Sequence, residues 1–265
     1  AFYGCSSISS VIWNAKKCND FSNWYGSSLF LNSTDNLTSF IFGDSVQHIP
    51  SYLCYYMKNL TTIEIPYGVT SLGEGTFQGC ESLDSIIWNA KVCKINSYNT
   101  KIPFDYNVVT SFVLGDSVEL IPDYLCYRMN LTSITIPSTV TQIGKQAFYN
   151  CSNLDTIICN ALTPPTLDTE CFYGVSSNID IYIPCGTLSS YSSQMGWRAF
   201  SNFIEPQSEY RITLTSNNSS YGSTNIEKNN ACEMAQISAT ANSGYQFVQW
   251  NDGVKDNPRM LTVIS

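Results

Sequence analysis

Apolar residues recur along most of this chain with a spacing that fits neither a helix nor an ordinary strand. The apolar positions between residues 60 and 80 are Leu60, Ile63, Ile65, Val69, Leu72, Phe77 and Cys80. An amphipathic helix would repeat every 3.6 residues or so and a strand every two. The irregular spacing is instead typical of a coil, in which a short strand, a turn and a second short segment all point apolar side chains toward one axis.

This pattern repeats with nearly the same residues. Three segments share an aromatic residue, a glycine or asparagine and a cysteine in the same order: residues 1–8 (AFYGCSSI), 76–83 (TFQGCESL) and 147–154 (AFYNCSNL). A second pair, residues 37–55 and 109–127, matches almost residue for residue. A single coil cannot bury its apolar face, but stacked coils form a continuous core. We therefore predict a solenoid of about eight coils over residues 1–205, with the first coil truncated.

The phase of the coils also carries a family resemblance. Residues 130–151 (NLTSITIPSTVTQIGKQAFYNC) resemble the consensus of the BspA-type leucine-rich repeats, which occur on surface proteins of gut and oral Bacteroidetes, and residues 59–80 fit nearly as well. The resemblance implies a leucine-rich repeat solenoid, β-rich, with short parallel strands stacked into a curved sheet. Residues 91–108 are stretched and residues 162–185 are interrupted by a Pro-Pro pair. We interpret these departures as a loop and as the approach to a C-terminal cap.

The tail of the chain follows a different pattern. Apolar and polar residues alternate in segments 211–214, 236–241 and 245–250, which predicts three strands separated by turns. Residues 208–265 are thus predicted to form a small all-β or β-grasp-like domain. The run GYQFVQW at 244–250 resembles the Listeria–Bacteroides-type β repeat found after leucine-rich repeats in bacterial surface proteins. We expect this copy to be incomplete, with one more strand beyond the chain given.

Charge and composition narrow the range of functions. The formal net charge is −8 and the isoelectric point is near 4.5. This balance argues against a nucleic-acid interface, which needs clustered lysine and arginine to release counterions. No apolar run is long enough to span a membrane. No signal sequence is visible in the chain, so export to an extracellular, cell-surface location is implied by the family resemblance alone.

The chain contains eleven cysteines, most of which follow the phase of the core. One repeat position is shared by Cys5, Cys80 and Cys151, a second by Cys54 and Cys126, and a third by Cys18 and Cys93. We predict that the first two sets are core thiols, since a buried cysteine behaves as a small apolar residue. Outside the pattern lie Cys159, Cys171, Cys185 and Cys232. A disulfide among the first three of these, near the cap, stays open, and the absence of Cys-x-x-Cys spacing argues against a metal or other cofactor.

Candidates for catalysis are few. His48 is the only histidine, and its counterpart in the repeated block is Leu120, so we predict a partly buried flank and not a Ser-His-Asp or Cys-His site. Asp44 and Asp116 both lie in Gly-Asp-Ser, which is turn chemistry. A cluster near the C-terminus is interpreted as a hairpin turn in preference to a calcium site: Asp252, Asp256 and Asn257. The sequence therefore does not predict an enzyme.

What remains is the surface of the repeats. The residue between the two inward positions of each strand should face outward, and these residues are Ile12, Ile41, Glu64, Ile87, Val113, Thr135, Ile158 and Tyr182. Six of the eight are apolar or aromatic, which favours a protein-binding face. The competing explanation is that β-branched residues pair well between adjacent strands. A second candidate surface is aromatic: Tyr52, Tyr55, Tyr56, Tyr124 and Tyr127. These rings either contact a protein or glycan or close the convex side of the coil.

These expectations combine into one functional hypothesis. Members of the family that the chain resembles are implicated in attachment to host matrix proteins or to other microbes. The chain is therefore expected to be a non-catalytic adhesion protein of the bacterial cell surface, binding host extracellular-matrix proteins, other surface proteins or glycans through its repeats. The alternative is a structural spacer or stalk that displays another domain.

Overall fold

The computed structural model describes residues 2, 5, 7–20, 29–30, 36–95, 102–104, 108–205, 213–226 and 235–261. Its strands up to residue 204 are, in chain order, β1 (Ser10–Trp13), β2 (Ser39–Phe42), β3 (His48–Ile49), β4 (Thr62–Ile65), β5 (Ser71–Leu72), β6 (Ser85–Trp88), β7 (Lys94–Ile95), β8 (Ser111–Leu114), β9 (Leu120–Ile121), β10 (Ser133–Ile136), β11 (Gln142–Ile143), β12 (Thr156–Cys159), β13 (Thr166–Leu167), β14 (Asp180–Tyr182) and β15 (Phe203–Ile204).

Two kinds of strand alternate along the described chain. Six turns carry a long strand followed by a two-residue strand, from β2 and β3 to β12 and β13, while β1 and β14 extend the row of long strands at its two ends. All pairs between these strands are parallel, as in β4–β6–β8 and β10–β12–β14–β15. The described residues therefore form a β-solenoid of about six turns with almost no helix. The repeat pattern predicted the solenoid correctly but with about eight coils.

The core follows from the alternation within each long strand. Successive side chains of a strand point to opposite faces. In β10 the second and fourth residues, Ile134 and Ile136, are buried while the first and third are exposed, and β4 and β8 show the same pattern. Aromatic rings extend the core from coil to coil, with Phe148 stacked on Phe172 at 5.1 Å and Phe77 on Phe104 at 5.1 Å. Phe104, one of the described residues of the stretched segment, is thus in register with Phe77 in the core.

A short cap closes the C-terminal end of the stack. It consists of helix α1 (Leu188–Ser193) and a 3-10 helix (Trp197–Ala199). Tyr191 and Trp197 are fully buried, and each donates its one polar hydrogen to a backbone carbonyl: the hydroxyl to Ala161 at 2.7 Å and the indole to Pro165 at 2.8 Å. Buried tyrosine and tryptophan need such partners. The Pro-Pro interruption is therefore part of the surface against which the cap packs.

The repeated cysteines are mostly core thiols, as predicted. Cys54, Cys80, Cys126 and Cys151 are buried, and the Cys80 and Cys151 thiols donate to the carbonyls of Cys54 and Cys126 at 3.2 and 3.0 Å. Burial raises the pKa of the Cys151 thiol to about 12. The prediction is wrong for Cys5, which is exposed. In the third set Cys93 is buried and Cys18 is half-buried.

The disulfide considered near the cap does not form among the three cysteines named for it. Cys159 and Cys171 are buried thiols, and burial raises the pKa of both. Cys185 is disulfide-bonded. Cys232 lies outside the described residues.

The described tail contains an antiparallel sheet of three strands, β16 (Gly222–Ile226), β17 (Ala235–Ala241) and β18 (Arg259–Leu261). The strand predicted at 236–241 is confirmed, residues 211 and 212 lie outside the described chain, and residues 213 and 214 are not in a strand. The strand predicted at 245–250 is wrong. Phe247 and Trp250 contact each other at 5.2 Å, and the Trp250 indole donates to the Asp256 carbonyl at 2.9 Å, so this segment folds into its own loop. That the tail is a separate domain stays a prediction.

Candidate functional site

The outward residues named from sequence form a row along the long strands, which are divided among three parallel sheets, β1–β2, β4–β6–β8 and β10–β12–β14–β15. Each is the third residue of its strand, and the register places neighbours side by side, as in Ile12 with Ile41 and Ile87 with Val113. We call this row the sheet stripe; its members are Ile12, Ile41, Glu64, Ile87, Val113, Thr135, Ile158 and Tyr182. Seven are exposed and Ile87 is half-buried. The exposed fractions of its other large apolar members range from 67% at Ile12 to 38% at Ile158.

The stripe is interrupted at two regular places. Glu64 and Thr135 divide it into three apolar pairs, Ile12 with Ile41, Ile87 with Val113, and Ile158 with Tyr182. The Glu64 carboxylate accepts a hydrogen bond from the Asn89 amide nitrogen at 2.8 Å. Sequence analysis missed one further member, the half-buried Ile204 of β15, which pairs with Tyr182. Its strand, β15, follows the two cap helices, where the repeat pattern that located the other members has ended.

A row of small polar residues lies beside the stripe. The first residue of each long strand is a serine or threonine in β1 to β12, and the first residue of β14 is an aspartate. They share the face of the stripe because positions one and three of a strand point the same way. The face therefore combines apolar side chains with hydroxyl groups, and it carries few formal charges.

The aromatic candidates lie on another side of the coil, in the turns that follow the short strands. Tyr56 is exposed, and Tyr52, Tyr55, Tyr124 and Tyr127 are half-buried. Tyr55 contacts Tyr52 at 5.7 Å and Tyr56 at 4.5 Å between ring centroids. The ammonium group of Lys58 lies 5.6 Å from the centre of the Tyr56 ring. These rings pack largely against one another, which accords with the interpretation that they close the coil.

Two further tyrosines, missed by sequence analysis, extend this side into a ladder. Tyr127, Tyr149 and Tyr173 stack face to face at 5.1 and 5.0 Å. Burial, followed by the neighbouring Tyr173 and Tyr127, raises the pKa of Tyr149. A sequence signal existed, since Tyr149 and Tyr173 each follow a core phenylalanine. Because stacked rings cover each other's faces, the ladder offers mainly ring edges to a partner, except at its ends.

His48 belongs to a chain of polar contacts between coils. Its Nδ1 lies 2.7 Å from the Ser71 hydroxyl, and its Nε2 lies 3.0 Å from a carboxylate oxygen of Asp20. The same oxygen accepts the Ser51 amide at 2.8 Å. His48 is half-buried, as predicted, but sequence analysis did not connect it to Asp20 or Ser71, which are distant in the chain. The arrangement fastens the segment before residue 20 to the following coils.

Asp20 gives this contact a pH dependence. Partial burial raises the pKa of its carboxyl group. The hydrogen bonds from the Ser51 amide and His48 together lower that pKa by more, so the pKa of Asp20 lies below the ordinary 3.8. A carboxyl whose pKa is lowered on folding stabilises the protein above its ordinary pKa, and this is lost as pH falls through the folded value. We expect Asp20→Asn to lower the free energy of unfolding at pH 7 by up to about 1 kcal/mol, since the group is half exposed. The variant should lose less stability than wild type between about pH 4 and pH 2, measured by urea unfolding.

The matched control for this prediction is Asp44→Asn, at an exposed turn carboxylate. It should leave the free energy of unfolding at pH 7 as in wild type. An Asp20→Asn protein with the wild-type pH dependence would contradict the assignment.

The acidic loop near the C-terminus is used by the β16–β18 sheet itself. Asp252 pairs with the Arg259 guanidinium at 2.6 Å, which lowers the pKa of its carboxyl group. The Asn257 side chain accepts the Ala239 amide at 2.8 Å and donates to the Ala239 carbonyl at 2.7 Å. Within the described ranges, no three His, Cys, Asp or Glu side chains are grouped as metal ligands would be. A separate search of the same residues for a helix long and apolar enough to cross a membrane found none.

Comparisons with known proteins place these features in context. The family model described as the BspA type leucine rich repeat region matches residues 1–102 and 100–232, with six copies. No curated protein matches the chain. Among solved structures, a leucine-rich repeat protein from Bacteroides ovatus is 16% identical, with a TM-score of 0.35, and the match covers 78% of this chain and 63% of that one. A leucine rich cell surface protein from Faecalibacterium prausnitzii is 19% identical, with a TM-score of 0.32, and the match covers 74% and 64%. This chain thus spans less than two thirds of either structure.

Proposed function

We propose that this chain, which belongs to the BspA-type leucine-rich repeat family, is a non-catalytic adhesion protein of the bacterial cell surface that binds other proteins through its sheet stripe. The partners we propose are host extracellular-matrix proteins or other surface proteins. Membership of this family supports the proposed location. The observation that carries the proposal is the row of three apolar pairs on one face of the long strands, in which every member except the half-buried Ile87 is exposed.

The dimensions of the stripe suit a protein partner. Parallel strands lie about 4.8 Å apart, so a row of eight spans roughly 35 Å. A standard interface of about 800 Å² per partner fits on a face of that length. Exposed apolar side chains rimmed by polar groups are characteristic of protein-binding surfaces. Here the apolar pairs are flanked by the serine and threonine row, which can donate and accept hydrogen bonds.

The tail of the chain is the second part of this proposal. Its three-stranded antiparallel sheet, β16 to β18, supports the assignment of residues 208–265 to a small β module of the Listeria–Bacteroides type, separate from the solenoid of residues 1–205. In this proposal the solenoid presents the binding face and the module is an accessory of the exported protein.

The test is a binding measurement with a stripe variant. The variant carries Ile41→Ser, Ile87→Ser, Val113→Ser and Ile158→Ser, and binding to immobilised host matrix proteins and glycans is followed by surface-based kinetics. We expect saturable binding by the wild-type chain and a loss of at least about tenfold in affinity in the variant. Each truncation removes an apolar contact, and central interface residues commonly contribute 1 kcal/mol or more.

The matched control removes exposed apolar side chains from other parts of the surface: Val92→Ser, Leu162→Ser and Leu188→Ser. It should bind as wild type does. Equal losses in both variants would show nonspecific hydrophobic adsorption and contradict the proposal. No binding by the wild-type chain to any matrix protein or glycan would favour the spacer, in which the stripe serves only to pair adjacent strands.

A further inference from the structure

The tyrosine ladder ends beside a cavity. The cavity has a volume of about 570 Å³ and lies between residues 167–177, in the last coil before the cap, and residues 195–200 of the cap itself. Its apolar lining includes Leu167, Phe172 and Phe200, and its mouth includes Tyr173 and Met195. Tyr173 is 58% exposed and Met195 is 76% exposed.

The cavity lies where the cap extends the inner row of aromatic rings but does not extend the tyrosine ladder on the surface. In the core, Phe148 stacks on Phe172, which in turn contacts Trp197 of the cap at 5.8 Å. On the surface, Tyr149 stacks on one face of Tyr173, but the cap supplies no further ring for the opposite face. Ring contacts of Tyr173 within the described chain are limited to Tyr149. The outer face of Tyr173 is therefore an unfilled position in the ladder.

The charged residues that line the cavity are acidic. Asp168 and Glu170 line the cavity, and none of its described lining residues is a lysine or arginine. One Asp168 oxygen accepts hydrogen bonds from the amide and hydroxyl of Thr169, and one Glu170 oxygen accepts from the Gln146 amide group. Each carboxylate keeps a second oxygen with which it can accept from a ligand. The whole chain is acidic as well, with a net charge of −8.

A flat cation matches both properties. The face of a tyrosine ring attracts a cation through its quadrupole. The guanidinium group is planar, stacks on aromatic rings and pairs with carboxylates through several hydrogen bonds, whereas an ammonium group does not stack. This chain already places a cation on a tyrosine of the same side, since Lys58 lies over Tyr56.

We propose that the cavity at the cap binds an arginine side chain of a partner protein. The guanidinium stacks on the outer face of Tyr173, in the place of the next ladder ring, and donates hydrogen bonds to the carboxylates of Asp168 and Glu170. The aliphatic stem of the arginine lies against Met195. This site is separate from the sheet stripe, and it stands whether or not the stripe binds a partner.

The test uses methionine methyl groups as reporters in the full chain. The protein is labelled with ¹³C at the methionine methyls and titrated with acetyl-Gly-Arg-Gly-amide, while NMR follows each methyl. Met195 lies at the cavity, whereas Met57 and Met129 are buried in the core and serve as internal controls. We expect a saturable shift of the Met195 methyl alone, weakened by added salt because the pairing is ionic.

One altered peptide and three variants of the protein identify the chemistry. The same peptide with citrulline keeps the planar group without its charge and should bind at least about threefold more weakly, since the hydrogen bonds to carboxylates are then no longer charge-assisted. Tyr173→Leu should weaken binding of the arginine peptide by about two- to fivefold, the range for a cation over an exposed ring. Glu170→Gln should weaken it as well. Tyr67→Leu, at a tyrosine that is 55% exposed and lies outside both the cavity and the sheet stripe, is the matched control and should bind as wild type does.

Several results would overturn the inference. They are an unmoved Met195 methyl, equal binding of the arginine and citrulline peptides, and undiminished binding by Tyr173→Leu. A larger Met195 shift with cellohexaose than with the arginine peptide would assign the cavity to a glycan. Unchanged Met57 and Met129 signals verify that each variant is folded, so a lost response cannot be ascribed to unfolding. Because the readout is at Met195, failure here leaves the proposal for the sheet stripe intact, and the converse also holds.

Discussion

Phe148→Ala is expected to lower the free energy of unfolding by about 3 to 5 kcal/mol. Phe148 is fully buried and stacks on Phe172 at 5.1 Å, so truncation removes apolar contacts and leaves a cavity between two coils. Coils contact only their neighbours, which means that no distant part of the chain can move in to fill the gap. Urea unfolding followed by tryptophan fluorescence measures the change.

The matched control is Tyr173→Ala, which truncates a ring at a similar stacking distance on the surface. Tyr173 stacks on Tyr149 at 5.0 Å but is 58% exposed. Its removal should lower stability by about 1 kcal/mol, the range for an aromatic pair without a buried cavity. Equal losses in the two variants would contradict the assignment of Phe148 to the core and of Tyr173 to the surface.

Gly73→Ala is expected to destabilise the protein by about 2 to 3 kcal/mol because one coil passes too close to the next. A Cβ on Gly73 would lie 2.2 Å from the Ser51 amide nitrogen and 2.6 Å from the Ser51 Cα. Both are backbone atoms, so relief requires the two coils to separate. Gly144 occupies the same repeat position, where a Cβ would lie 2.6 Å from the Asp123 amide nitrogen. Gly144→Ala should therefore behave alike, and thermal unfolding of both variants tests the point.

Gly115→Ala is the control that separates steric contact with backbone from contact with a side chain. A Cβ there would lie 2.2 Å from the Asn89 side-chain oxygen, while the Asn89 Cα is 3.5 Å away. Asn89 can rotate, losing its hydrogen bond to Glu64. The reduced freedom of the unfolded chain offsets that loss by about 0.4 to 1 kcal/mol, so the net change should be small. A loss as large as that of Gly73→Ala would mean that coil spacing is not the cause.

The solenoid was predictable because its rules are local. Whether Ile63 points inward and Glu64 outward depends only on alternation within one strand, and the repeat multiplies that signal over many coils. Cys54 and Cys126 were placed in the core by the same argument. It failed at Cys5, which is exposed although it shares the repeat position of the buried Cys80 and Cys151.

The tail was harder to predict because its strands are held by pairing between distant segments. Alternation found β17, but Gly222–Ile226 and Arg259–Leu261 lack a clear apolar alternation and become strands through their partner. The segment 245–250 is the opposite case. Its apolar and polar residues alternate, but it does not form a strand, and Trp250 donates a hydrogen bond within its own loop. Strand propensity depends on such surroundings.

The sequence by itself determined the repeat, the inward and outward faces of the long strands and the membership of the sheet stripe up to Tyr182. Only the tertiary structure decided how the coils meet: the stacking of Tyr127, Tyr149 and Tyr173, the contact of His48 with Asp20 and Ser71, and the unfilled ring position at the cap. The physical reason is distance along the chain. A side chain's direction follows from its own strand, whereas its partner across coils lies some twenty or more residues away and is fixed only when the coils stack.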